Sequence, residues 1–177
     1  MNSSPMRIPM VSLLAFAILL LLFQNRHIYH VWQWQKLQTS SSPIEVTHKQ
    51  YQRLHSHLDR NPSFLYNYGA WLHYNGYHQE SLAVLSECVK TYDDYNVELL
   101  IADNYRELGK TKKAIEIFEY ANAMIPCRFL PLYHEMKTHE ANEDYDSAIR
   151  IAIKIVSKPI KIEHSASVKK SYMKRRT

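Results

Sequence analysis

Glycine is nearly missing from this chain: 177 residues contain three. Phosphate-cradling loops and tight β-hairpin turns both consume glycine, so nucleotide-binding and hairpin-rich folds are disfavoured from the outset. Cysteine is almost as scarce. Cys88 and Cys127 make no disulfide framework, and both fall inside helical patterns, where free cysteine serves as a small hydrophobe. No cysteine pairs with zinc-ligand spacing and no nucleophile motif occur, and the scattered carboxylates read as polar helix faces. What is abundant is Leu, Ala, Glu, Lys and Tyr, the last thirteen times. The expected class is all-α. The formal charge of +5 points to acidic partners or anionic lipid and carries no information about fold.

One long apolar run is present. Ile8 to Phe23 reads IPMVSLLAFAILLLLF, uncharged, with Ser12 its one conventional polar residue. At about 1.5 Å per residue it covers roughly 24 Å, short of the ~30 Å hydrocarbon core. Arg7 can snorkel on one side, and Tyr29, Trp32 and Trp34 form an aromatic belt on the other. Residues 1–25 are therefore expected to be an uncleaved transmembrane signal anchor, contacting the bilayer through residues 8–23. A cleaved signal peptide competes, although nothing resembling a small-residue cleavage site follows the run; a buried soluble helix is the third reading. Arg7 and the amino terminus face Arg26 and Lys36 across the run, so charge bias does not choose a topology. Residues 26–43 read as an aromatic juxtamembrane helix and linker, broken at Thr39-Ser40-Ser41-Ser42-Pro43.

The remainder repeats. Gly76-Tyr77-His78-Gln79-Glu80-Ser81-Leu82 aligns with Gly109-Lys110-Thr111-Lys112-Lys113-Ala114-Ile115 at an offset of 33, and with Glu143-Asp144-Tyr145-Asp146-Ser147-Ala148-Ile149 a further 34 along. Each is a turn opening a second helix. Ala102, Tyr105, Gly109, Ala114, Phe118, Ala121 and Pro126 match the characteristic positions of the tetratricopeptide pattern, and Gly69, Gly76, Ser81, Leu85 and Cys88 occupy equivalent places one unit earlier. The third unit departs from the pattern, with Glu143 where the turn glycine belongs and His139 where a large aromatic is usual. The resemblance implies an α-solenoid of about three helix pairs over 44–157, right-handed as such stacks are. Its repeats are placed at about 62–94, 95–128 and 129–160, with 44–60 as a capping helix and 158–177 as a basic tail. Small residues at Gly69, Ser81, Ala102, Ala114 and Ala148 let paired helices approach, while Tyr105 and Phe118 fill the space between pairs.

Ten histidines invite a metal reading. His134 and His139, however, are five apart, which turns the second by about 140° from the first, whereas the zinc-protease helix needs a spacing of four. No catalytic residue, metal or cofactor is expected, and the chain is not expected to be an enzyme. The basic tail, from Lys158 through Lys161, Lys169, Lys170, Lys174, Arg175 and Arg176, reads as a solvated end, with contact to anionic lipid headgroups as the alternative; nucleic acid is not an expected partner.

A tetratricopeptide groove is lined by the first helix of each pair. The candidates for protein binding are Tyr66, Asn67, Ala70, His73 and Tyr74, then Leu99, Asp103 and Arg106, then Tyr133 and Lys137. Tyr and Arg anchor interfaces well. The Lys/Asn carboxylate clamp of chaperone-binding family members is not matched, since Tyr66, Leu99 and Tyr133 stand at its places.

Four stretches carry a narrower likeness: the apolar helix, Trp34-Gln35-Lys36-Leu37-Gln38, Asn61-Pro62-Ser63-Phe64-Leu65-Tyr66-Asn67-Tyr68-Gly69, and Lys158-Pro159-Ile160-Lys161-Ile162. Together they resemble the carboxy-terminal portion of O-antigen ligase-like membrane proteins of Bacteroidetes, in which a tetratricopeptide region follows the last transmembrane helix. The family's catalytic membrane portion has no counterpart here, so no catalytic position carries over. The resemblance implies a non-catalytic module accessory to cell-surface polysaccharide assembly. Its partner would be a membrane polysaccharide polymerase or ligase, and its place the bacterial inner membrane, single-pass, with the repeats in the periplasm. The alternatives are a carboxy-terminal fragment of such a ligase and an import-receptor-like anchored protein.

Overall fold

The computed structural model describes residues 7–158, with side chains for 12–20 and 26–158. Eight helices and no strand occur among these residues, and the chain divides between Asp93 and Asp94 into two compact units.

The first unit begins with α1 (Arg7–Gln38), a rod of about 48 Å. It carries the apolar run and the aromatic segment as one uninterrupted helix, because neither glycine nor proline occurs between Met10 and Gln38. Thr39 Oγ1 and Ser40 Oγ end it by donating to the Lys36 and Leu37 carbonyls (3.1 and 2.9 Å). After Pro43 the chain reverses into α2 (Ile44–Leu58), whose buried face, Thr47, Tyr51, Leu54 and Leu58, has helical spacing. The following pair is α3 (Pro62–Tyr74) and α4 (His78–Val89). Asn61 caps α3 by accepting from Phe64 N–H at 3.0 Å, with Pro62 in the first turn where its missing N–H costs nothing.

Aromatic packing joins these helices. Trp34 of α1 meets Phe64 edge-on at 5.7 Å, and Tyr51 of α2 stacks on Tyr68 of α3 at 4.9 Å with the rings 4° from parallel. Two polar rungs then tie α2 to α4: His48 Nε2 lies 3.0 Å from Glu80 Oε2, and His55 Nε2 2.8 Å from Glu87 Oε2. Within the α3/α4 pair, Ser81 Oγ donates to the Gly69 carbonyl at 2.7 Å, a buried bond that fixes the closest approach of the two helices.

The second unit contains α5 (Tyr95–Glu107), α6 (Thr111–Met124), α7 (Leu130–Ala141) and α8 (Tyr145–Ser157). Asp94 and Asp144 cap α5 and α8 through their carboxylates. Tyr95, Leu99, Ala102, Ala114, Phe118 and Ala121 form its buried core, with Tyr105 packed against it.

All three helix pairs turn in the same way. Gly76 and Gly109 adopt φ of +82° and +70°, and Glu143 reaches 61° without being glycine. Each of these residues donates its N–H three residues back, to His73, Arg106 or Glu140, and the next residue reaches five back, to Leu72, Tyr105 or His139. This paired pattern is the left-handed helix stop for which glycine is ordinarily selected.

The apolar run lies within α1. Leu13, Leu14, Phe16, Ile18, Leu19 and Leu20 are all exposed. Among the described residues no helix is long and apolar enough to cross a membrane; part of the run, at 8–11 and 21–23, falls outside the described side chains. Of the basic tail, Lys158 alone is described. It is not a freely solvated cation: Nζ donates to Asn122 Oδ1 (2.9 Å), the Pro126 carbonyl (2.6 Å) and the Arg128 carbonyl (3.3 Å), pinning the loop between α6 and α7. Pro126 itself is exposed in that loop, so it contributes an acceptor there and no buried packing.

Candidate functional site

The groove candidates fall on three helices, two of them in the second unit. On α3, Tyr74 is fully in solvent at 79% exposure, while Tyr66, Asn67, Ala70 and His73 are half-buried. Asn67 Nδ2 donates to the Ser63 carbonyl at 2.7 Å, and His73 sits edge-on to both Tyr74 and His78.

On α5 the expectation for Leu99 is corrected. Its side chain lies in the core with Ala114 and Phe118 and presents nothing to a partner. The reason is rotational: Leu99 shares a stripe with Tyr95 and Ala102, at i−4 and i+3, which faces α6. Asp103, one turn further on, is also buried, and its carboxylate is held by two partners, a guanidinium and an imidazole. Arg106 Nη1 is 2.9 Å and His134 Nδ1 2.8 Å from the same oxygen, Asp103 Oδ1. Arg106 Nη2 additionally binds Glu107 Oε1 at 2.9 Å.

His134, absent from the candidates named above, is what connects α7 to this cluster. Its ring also packs on Phe118 at 5.5 Å and against Tyr133 at 5.9 Å. His139 turns instead to Asp144, with Nδ1 2.9 Å from Oδ2, so the two imidazoles of α7 serve different carboxylates. Sequence spacing within α7 shows that they diverge, but it carries no signal that Asp103 receives one of them. Lys137 is exposed and paired with Glu140, whose hydrogen bond raises its pKa.

Tyr133, 49% exposed, stands between this charged cluster and an open hollow of about 670 Å³ lined by Tyr95, Cys127, Arg128, Phe129, Leu130 and Ile155. The Arg128 guanidinium lies over the Tyr95 ring at 4.8 Å, a cation–π contact that places a positive charge at the rim. The α5/α7 face thus offers an aromatic anchor flanked by fixed charges, an arrangement that can recognise a peptide or protein surface.

No protein-family profile matches the chain, and no curated protein matches it in sequence. The narrower likeness to O-antigen ligase-like proteins therefore rests on the sequence stretches quoted above. Solved structures do match in fold. MamA AMB-1 is 14% identical with a TM-score of 0.58 over 63% of this chain and 67% of that one. The MamA RS-1 ArsTM double mutant is 18% identical with a TM-score of 0.58, over 63% and 64%. A further MamA crystal structure is 16% identical with a TM-score of 0.57, over 65% and 67%. The chain spans about two thirds of the length of these structures. At such identities the likeness is one of fold alone, an all-helical arrangement like that of the eight helices described here.

Proposed function

We propose that this chain is a membrane-anchored protein-interaction module that engages a protein partner through the α5/α7 face. The observation that carries the reading is the Asp103–Arg106–His134 cluster with exposed Tyr133 beside it. Arg106 and His134 are held in place before any partner arrives, so little side-chain entropy remains to be lost on binding, and tyrosine next to arginine is the composition of an interface hot spot.

Anchoring is supported by α1. Six large apolar side chains between Leu13 and Leu20 are 48–69% exposed, an arrangement that water disfavours at about 25 cal/mol per Å². Tyr29 and Trp32, also exposed, follow at the spacing of an interfacial belt and extend a run that is short by itself. The partner class follows from the sequence likeness: a membrane polysaccharide polymerase or ligase, met at the periplasmic side of the bacterial inner membrane.

The test is a photo-crosslinking amino acid at Tyr133 in native membranes, with Glu116, exposed on α6, as the control position. A multi-span polysaccharide polymerase or ligase captured from position 133 and not from 116 supports the whole reading. Another defined partner with the same dependence keeps the module and removes the polysaccharide assignment. Adducts independent of position overturn the module.

A further inference from the structure

Four of the histidines in the first unit divide into two groups. His48 and His55 face α4 and each meets a glutamate. His30 and His57 meet each other instead: their rings stack at 4.0 Å, 13° from parallel, where α1 and α2 run side by side. Around this pair the two helices line adjoining clefts. One, of about 300 Å³, is walled by Arg26, His27, His30, Ser56 and His57. The other, about 500 Å³, continues along Tyr29, Trp32, Gln33, Lys36, Gln50 and Arg53.

Among the described residues no carboxylate lines either cleft, and none pairs with Arg26 or Arg53. The nearest acidic residue in sequence is Asp59, exposed just beyond α2. The walls are nonetheless built. Gln33 Nε2 donates to Tyr29 Oη at 2.9 Å, Gln33 Oε1 lies 3.4 Å from His30 Nδ1, and the Lys36 ammonium rests over the Trp32 ring at 5.5 Å. His30 Nε2 is buried without a hydrogen-bond partner. Burial, followed by the proximity of His57, lowers the His30 pKa.

We infer that the cleft between α1 and α2 binds the phosphate of an anionic glycerophospholipid headgroup. The inference rests on the reading of α1 as the anchor, and depth supports it: Arg26 to His30 lie about 5–10 Å beyond Phe23 along the helix, where headgroups begin. Because α2 reverses direction, its last turn brings Ser56 and His57 to that same level. The phosphate supplies the counterion that Arg26 lacks in the cleft, and Tyr29 and Trp32, further along α1, lie on its aqueous side among the headgroups.

The test uses the full chain in nanodiscs of phosphatidylcholine with and without phosphatidylglycerol, with retained lipid read by native mass spectrometry. Wild type should hold phosphatidylglycerol selectively, and Arg26→Gln/His57→Gln should lose that selectivity by roughly fivefold or more, the usual effect of a basic group at a membrane surface. Arg150→Gln, exposed on α8, should keep it, and Arg53→Gln serves if the double variant does not fold. Equal retention of the two lipids, or selectivity that survives the double variant, overturns the site while leaving the anchor in place. A chain that fails to float even with neutral vesicles overturns the anchor, and the inference with it. A melting temperature raised by inorganic phosphate, without lipid selectivity, assigns the cleft to free phosphate and overturns the lipid.

Discussion

A Cβ placed on Gly69 would lie 2.5 Å from Leu85 Cδ2 and 2.6 Å from its Cγ. Leu85 is fully buried, so it cannot swing aside cheaply. Gly69→Ala should therefore force α3 and α4 apart, strain the Ser81–Gly69 bond and cost about 1–3 kcal/mol. Thermal melting of the single and double variants checks this: Leu85→Ala should be costly alone but, combined with Gly69→Ala, less costly than the two added together. Strict additivity would show that the two residues do not share one contact.

Glu143 holds a left-handed backbone at φ 61°, a conformation that costs a side-chain-bearing residue about 1 kcal/mol or more. Glu143→Gly should stabilise the second unit by about 0.5–1 kcal/mol, since the glycine enters a geometry it adopts freely. Chemical denaturation reads the change. A destabilised variant would mean that the glutamate contributes more than the strain it carries.

Glu135 is 5% exposed on α7 and its Oε2 has no hydrogen-bond partner. Burial, and then the charge of Glu119, raise its pKa above the usual carboxylate value of 4.5. A raised folded-state pKa means that the native chain holds the proton more tightly than the unfolded one. The stabilisation is complete below the unfolded pKa and is lost as pH rises through the folded one. Glu135→Gln should therefore be more stable than wild type at neutral pH, by about 1–2 kcal/mol, and should flatten the fall in stability as pH rises from acid. Denaturation curves across that range decide it.

Cys127 is exposed and Cys88 fully buried, which gives the native chain a single ready labelling position. With the repeats in the periplasm, a maleimide that crosses the outer but not the inner membrane should modify Cys127 in intact cells. Labelling only after inner-membrane permeabilisation would place the α5/α7 face in the cytosol and favour the receptor-like alternative.

How far the fold is legible in the sequence depends on the range of the interaction. The stops at Gly76, Gly109 and Glu143 are local: five or six residues determine each one, and their spacing of 33 and 34 is visible without any structure. Asn61-Pro62 is legible for the same reason. Leu99 shows where this fails. Deciding between groove and core needs the rotation of α5 relative to α6, and neighbouring positions on a helix differ by about 100°. Contacts across tens of residues leave no local trace: His48 and His55 with the glutamates of α4, His134 with Asp103, and Lys158 with the α6–α7 loop. The candidate site was therefore readable in its aromatic and charged residue types, while the cluster that gives it shape was not.

The continuity of α1 has a mechanical side. Between the apolar run and Gln38 the helix contains no joint, and Trp34 and Leu37 are buried at its far end. It therefore acts as a lever fixed to the first unit: a tilt or twist applied to residues 8–23 is delivered directly to the packing around Phe64 and Tyr51. If those residues lie in a bilayer, the first unit cannot swivel independently of it, and a change in membrane thickness becomes a torque on the protein.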